Sequence, residues 1–256
     1  MIEGLKDKVA IITGGGHGIG RAYSLGFGGA GARVVVADID EPAAVKVAKE
    51  VNSQTDAQSL SVKVDVSNEA STQMMVQTIL ERFGRIDILV NNAAIFATIL
   101  MNRGGIDSID PGEWDRMMAV NLKGLFFCCR AVLPTMRKQK SGKIVNISSG
   151  TALNGSAGRI HYVTSKAGVI GFTRTLAREV GEDNINVNAI APGSTLSEEN
   201  PSEEIIKMRS ARLQDRALKR VQMPQDLVGT VLFLSSPLSD FMTGQTVAVD
   251  GGVVFL

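Results

Sequence analysis

Seven short apolar runs, each separated from the next by a stretch long enough for a helix, constrain this chain more than any other feature. The runs cover residues 9–12, 33–38, 60–66, 86–90, 143–148, 185–190 and 246–249. They are rich in β-branched residues and continuous rather than alternating, which is the pattern of strands covered on both faces. Helical periodicity fills the gaps at 22–30, 43–51, 68–83, 111–137, 162–180 and 224–234. Strand and helix in regular alternation predict an α/β fold, a doubly wound parallel sheet of about seven strands with helices on both faces.

No repeat, low-complexity tract or Pro/Ser-rich linker interrupts the alternation, so residues 1–256 are expected to form a single domain. Residues 193–221 are the one irregular stretch and are read as a lid over a substrate. The 27 Lys and Arg nearly balance the 26 Asp and Glu, a net charge of +1 that gives no reason to expect a nucleic-acid partner. A hydrophobic content of 44 % supplies a full core and excludes disorder as the main state. No uninterrupted apolar run approaches the roughly 18 residues of a membrane span. The adjacent pair Cys128 and Cys129 cannot form the long-range staple of secreted domains. Together with a first segment of mixed charge, these features lead us to expect a cytoplasmic protein without a membrane partner. His17 and His161 are the only histidines and show no metal-ligand spacing, so no metal is expected.

The first strand runs directly into Thr13-Gly14-Gly15-Gly16-His17-Gly18-Ile19-Gly20. A glycine turn between strand and helix lets a pyrophosphate approach the backbone and rest on the helix N-terminus. The spacing of Gly14, Gly18 and Gly20 is Gly-x-x-x-Gly-x-Gly, unlike the standard dinucleotide fingerprint. Asp38 closes the second strand, where an acid accepts hydrogen bonds from ribose hydroxyls and repels a 2′-phosphate. Further on, Tyr162 and Lys166 stand four residues apart on one helix face. A lysine there can lower the phenol pKa toward the range that acid/base catalysis needs.

In order along the chain, Thr13-Gly14, Gly18, Gly20, Asp65-Val66, Asn91-Asn92-Ala93-Ala94, Asn121, Ser149, Tyr162, Lys166, Pro192-Gly193 and Asp250-Gly251-Gly252 resemble the short-chain dehydrogenase/reductase family over essentially the whole length. The resemblance implies an NAD(P)-dependent enzyme on a Rossmann-like sheet, usually tetrameric. It implies a catalytic tetrad: Tyr162 exchanges the proton, Ser149 holds the substrate oxygen, Lys166 binds the nicotinamide ribose, and Asn121 holds a water that connects Lys166 to solvent. For the cofactor it implies Gly14, His17, Gly18, Ile19 and Gly20 at the phosphates and Asp38 and Ile39 at the ribose. Asp65 and Val66 fall at the adenine, Asn92 and Ala93 along the groove, and Pro192 and Gly193 at the nicotinamide. Thr195 and Ser197 are rivals for the nicotinamide amide. Ala94 replaces the family's usual glycine and adds a methyl to the groove. His17, where NADP-preferring relatives often carry Arg or Lys, points with Asp38 to NAD.

These features lead us to expect an NAD(H)-dependent enzyme that interconverts a secondary alcohol and a ketone. A 3-oxoacyl-thioester reductase is the alternative, and a non-catalytic cofactor-binding scaffold is an alternative of another class. A homotetramer is expected from the resemblance and from the apolar tail Val253-Val254-Phe255-Leu256. Arg159, three residues before Tyr162, and the basic residues Lys207, Arg209, Arg212, Arg216, Lys219 and Arg220 leave two readings open. One is recognition of an anionic substrate, with Arg159 as anchor; the other is a lid helix carrying Ile206, Leu213 and Ala217 whose charges face water.

Overall fold

A computed structural model describes residues 3–96 and 101–255. Its strands are β1 (Val9–Thr13), β2 (Arg33–Asp38), β3 (Ser59–Lys63), β4 (Ile88–Asn91), β5 (Gly142–Ile147), β6 (Ile185–Pro192) and β7 (Thr246–Val249). They form one parallel sheet in the order β3-β2-β1-β4-β5-β6-β7. The continuous apolar runs are explained by this sheet. Val9 and Ile11 of β1 pack into one core while Ala10 and Ile12 pack into the other, and Val35 and Val36 of β2 divide the same way. Each fully buried Val or Ile contributes about 1.5–3 kcal/mol of apolar transfer.

One face is covered by α1 (Gly18–Gly29), α2 (Glu41–Gln54) and α9 (Gln225–Leu234), whose Phe27, Val47 and Val231 point inward. The other is covered by α3 (Glu69–Phe83), α5 (Gly124–Gln139) and α7 (Ile160–Val180), through Ile79, Met136 and Val169. Local signals set the helix ends. Asp40 accepts from the Ala43 N–H at the start of α2, Asn68 from the Ser71 N–H at the start of α3, and Gly84 closes α3 in the left-handed region.

Helix α4 (Pro111–Met118) passes through a π-helical turn (Ala119–Lys123) into α5, giving 29 residues in one rod. By length and composition this rod is apolar enough to cross a bilayer, contrary to the expectation from uninterrupted runs. Its apolar residues are interspersed with polar ones, and half of that stretch is buried, with Cys128, Cys129, Val132 and Met136 against the sheet. It is a core helix.

Two further segments depart from expectation. A single-turn helix, α6 (Thr151–Asn154), follows β5, and in the 193–221 segment α8 (Glu203–Ala211) stops before Leu213 and Ala217. Beyond it the backbone instead docks on the C-terminal loop, with the Ala217 and Leu218 N–H groups donating to the Gly252 and Gly251 carbonyls. Arg209 and Arg216 are buried rather than turned to water.

Candidate active site

Because β1 leads outward to β2 and β3 while β4 pairs on its other side, the chain leaves a crevice at the C-terminal strand ends, the usual ligand position in such sheets. A cavity of about 820 Å³ occupies it. Among the sequence-predicted site residues, all but Asn121 line this cavity, including His17, Ile19, Ile39, Asp65, Val66, Ala93, Ser149, Tyr162, Lys166, Pro192 and Gly193, and so does Ala94.

At one end the glycine turn is held open by its backbone. Gly14 and Gly18 lie at positive φ, and a Cβ on Gly20 would run into the Gly14 carbonyl oxygen. Thr13 Oγ1 accepts the Asn92 and Ala93 N–H groups at 3.0 and 3.1 Å, and Asn92 Nδ2 donates to the Thr13 and Gly14 carbonyls at 3.0 Å. These bonds stitch β4 to the turn. His17 caps α1 without a side-chain cap bond, and the first turn of that helix holds no acid, so its N–H groups are free to face an anion. The His17 ring instead meets Asp40 at 3.0 Å. Asp38 is buried and accepts the Gly16 and Asp40 N–H groups at 2.8 and 3.1 Å. A carboxylate has about four lone-pair sites, which leaves acceptors for a diol. The turn and Asp38 therefore fit a dinucleotide. Asp65 accepts the Ser67 N–H and hydroxyl at 2.9 and 2.6 Å, which fixes the loop carrying Val66.

At the other end Tyr162, Ser149 and Lys166 share a wall. Register comes from a buried polar chain that sequence reasoning missed: Asn91 Nδ2 donates to Asn146 Oδ1 at 2.9 Å, and Asn146 Nδ2 to Thr173 Oγ1 at 2.9 Å. It ties α7 to β4 and β5. Ser148 donates to the Lys166 carbonyl at 2.8 Å, a structural bond, while Ser149 faces Thr151 Oγ1 at 2.9 Å and lines the same cavity as Tyr162. Lys166 Nζ donates to the Ile147 carbonyl at 2.8 Å, and burial brings its pKa down to about 8. Burial raises the Tyr162 pKa above its ordinary value; Ser149, Arg159 and Arg209 oppose that rise. This differs from the expectation that Lys166 is the depressing group, because the lysine is turned to a backbone carbonyl and itself desolvated.

Asn121 lies in the π-helical turn, where Oδ1 accepts the Ile95 N–H at 2.8 Å and Nδ2 donates to Ser165 Oγ at 3.1 Å. It shares a second, internal cavity with Lys166 and Asn91; at about 10 Å³ this is the room of a single water. The rivals separate in space. A Cβ on Gly18 would lie 2.9 Å from the Ser197 carbonyl oxygen, so Ser197 sits over the phosphate turn. Thr195 is buried beside Gly193, whose carbonyl it donates to at 3.1 Å.

The Asp250-Gly251-Gly252 motif was legible, but its task was not. Asp250 accepts the N–H groups of Gly252, Val253 and Val254, folding the tail so that both valines line the cavity. Phe255 is exposed, and Leu256 lies outside the described residues. Phe96 was also missed; its ring lies 5.1 Å from that of Tyr162. Among the described residues no group of three or more His, Cys, Asp or Glu side chains converges.

Comparison with known proteins agrees with this geometry. A family profile described as short chain dehydrogenase matches residues 8–204. The chain is 38 % identical to a 3-oxoacyl-[acyl-carrier-protein] reductase, FabG, of Thermotoga maritima, over 98 % of this chain and 99 % of that one. It is 39 % identical to BbsD of Thauera aromatica, a (2S)-[(R)-hydroxy(phenyl)methyl]succinyl-CoA dehydrogenase subunit, over 97 % of each. A crystal structure from Sinorhizobium meliloti 1021, named only provisionally as a short-chain alcohol dehydrogenase, superposes with a TM-score of 0.91 at 31 % identity, covering 99 % of this chain and 98 % of that one.

Proposed function

The chain belongs to the short-chain dehydrogenase/reductase family, and from that premise we propose an NAD(H)-dependent oxidoreductase that interconverts a secondary alcohol and a ketone. As members of that family do, it uses NAD(P) and acts on small carbonyl or alcohol substrates. One observation carries the finer reading: Tyr162, Ser149 and Lys166 share a single cavity with the glycine turn and Asp38.

NAD(H), when bound, supplies or accepts the hydride. In the reducing direction Tyr162 gives its phenolic proton to the carbonyl oxygen, and in the oxidising direction it takes the proton back. Ser149 donates to the same oxygen and holds it beside the phenol. Lys166, with one N–H on Ile147, keeps two donors for ribose hydroxyls. The small cavity between Lys166 and Asn121 accommodates the water of a proton relay to solvent. Asp38, already anchored by two backbone N–H groups, receives the adenosine ribose and repels a 2′-phosphate. Thr195 beside Gly193 is assigned to the nicotinamide amide, and Ser197 to the phosphates.

A second reading, reduction of a 3-oxoacyl thioester, draws support from the reductase and CoA-thioester dehydrogenase names of the two relatives. A silent scaffold has no such support, because Asn121, Ser149, Tyr162 and Lys166 are all present. We place the enzyme in the cytoplasm as a single-domain homotetramer. The deciding experiment assays secondary alcohols, ketones and acyl thioesters with both cofactors. Faster turnover of ketones with NADH than with NADPH, and a narrowed preference in Asp38→Ala, are expected. Equal efficiency of both cofactors, or turnover of thioesters alone, would sink the reading.

A further inference from the structure

The cavity wall around Tyr162 is cationic. Arg103 from the loop before α4, Arg159 at the N-cap of α7, Arg209 of α8 and Arg212 just past it all line this lobe. Only Arg209 is neutralised, by Glu198 at 2.8 Å, and it lies 5.8 Å over the Phe96 ring that packs on Tyr162. Among the described residues no carboxylate comes within ion-pair distance of Arg103, Arg159 or Arg212. Arg159 donates to the Ser156 hydroxyl, and Arg103 to the Met208 sulfur at 3.5 Å. Two acids that also line the cavity, Asp215 and Glu199, are not paired with these arginines; Glu199 meets Lys46 instead.

Arg159 is half-buried while Arg103 and Arg212 are exposed at the rim, and unpaired guanidinium groups set around one lobe repel one another. Burial, and then repulsion from Arg212, Arg103 and Arg209, hold Arg159 below its ordinary pKa. A second source of positive potential is α7 itself, whose N-terminus opens here with no acid in its first turn and no side-chain cap bond. The cofactor's phosphates do not account for this charge. They belong at the glycine turn, whereas Arg159 and Arg209 act electrostatically on the Tyr162 phenol, at the reacting end.

We propose that the substrate is a carboxylate-bearing ketone or its hydroxy acid, with the carboxylate held by the Arg159 fork and screened at the rim by Arg103 and Arg212. This rests on the hydride-transfer reading above. Arginine suits the task because its planar donors match a carboxylate in two parallel hydrogen bonds. The carboxylate makes and breaks no covalent bond; the carbonyl carbon gains hydride and its oxygen gains the Tyr162 proton. Ile95, Phe96 and Met208 give the remainder of the substrate an apolar wall.

The test separates binding from turnover. Acetoacetate and levulinate, each against its methyl ester, are titrated by calorimetry into protein saturated with NAD⁺, a mixture in which no hydride can move. The same pairs are then assayed with NADH. We expect at least one keto acid to bind, and to react by kcat/KM, about tenfold or more better than its ester. Arg159→Ala collapses the acid-to-ester ratio toward one, and the exposed Arg212→Ala, which disturbs no packing, lowers it in part. An ester as good as its acid, or an acid preference that survives R159A, overturns the proposal. Turnover of neutral ketones without any acid preference leaves hydride transfer standing and removes the carboxylate site. Arg159-dependent binding of a keto acid with no turnover of either class does the reverse.

Discussion

Tyr162 and Lys166 carry opposite electrostatic burdens in the same wall. The phenol, lifted by burial, stays protonated at neutral pH and is ready to donate. Tyr162→Phe removes only that hydroxyl, so kcat is expected to fall by about 10²–10⁴-fold while NADH binding, read by fluorescence titration, holds. Retention of a tenth of wild-type kcat would show that another group moves the proton. Lys166 is desolvated, and its pKa of about 8 lies below the ordinary 10.5. Between those two pH values the unfolded chain binds more protons at this site than the folded one, so the site's contribution to stability rises with pH. Below pH 8 the buried charge costs its full penalty. Urea unfolding should therefore show the wild type gaining on Lys166→Met as pH climbs through that window; a constant gap would mean the amine is better solvated than its burial implies. The residue types of this wall were readable in the sequence. Their electrostatics were not, because the Tyr162 phenol answers first to burial and then to Ser149, Arg159 and Arg209, which folding brings around it from the end of β5, the start of α7 and α8.

Elements are joined around the site by one carboxylate that no motif marks. Glu113 on α4 accepts the Asn102 N–H at 2.7 Å and meets the His161 ring at 3.2 Å, linking the loop that bears Arg103 to the first turn of α7. His161 is fully buried, and its Nδ1 has no partner among the described residues. Removing Glu113 leaves the other ring nitrogen unpaired as well, and an unsatisfied buried polar group costs about 1–3 kcal/mol. Glu113→Ala should lose stability of that order in urea. It should also raise KM more than it lowers kcat, since Tyr162 and Ser149 stay where they are while the rim loosens. An unchanged urea midpoint would show that the contact is idle. Helix periodicity could not reveal such a link, and it misjudged the segment after α8 for a related reason. Leu213 and Ala217 fit a helical stripe, yet the backbone there is claimed by the Gly251 and Gly252 carbonyls, and Arg216 is drawn inward to the Ser194 carbonyl at 3.2 Å. Long-range partners overrode local pattern.

On the scale of the whole molecule the fold was legible because strand and helix alternate throughout and the inner strands follow one rule: a strand covered on both faces is largely apolar, as β1 and β2 show, whereas the edge strand β3, Ser59–Lys63, alternates and is only partly buried. What lies outside that rule, the association of chains, rests on surface chemistry. The expected homotetramer drew on the C-terminal tail, but Val253 and Val254 turn back over the cavity and leave Phe255, 84 % exposed, as its apolar contribution among the described residues. The stronger surface argument lies elsewhere. Phe241 is fully exposed, Leu238 is 66 % exposed three residues before it, and Phe126 is 41 % exposed on α5, where Arg130 lies 6.0 Å over its ring. Leu238 and Phe241 follow α9 on one side of the sheet and Phe126 stands on α5 on the other, and each exposed apolar side chain gains when a symmetric copy covers it. Light scattering at micromolar concentration should give the mass of four chains. Phe126→Asp and Phe241→Asp, each placing a charge where a neighbour would have to bury it, should lower that mass without changing the far-ultraviolet dichroism. A monomer in the wild type, or a tetramer indifferent to both substitutions, would break the link between these side chains and assembly.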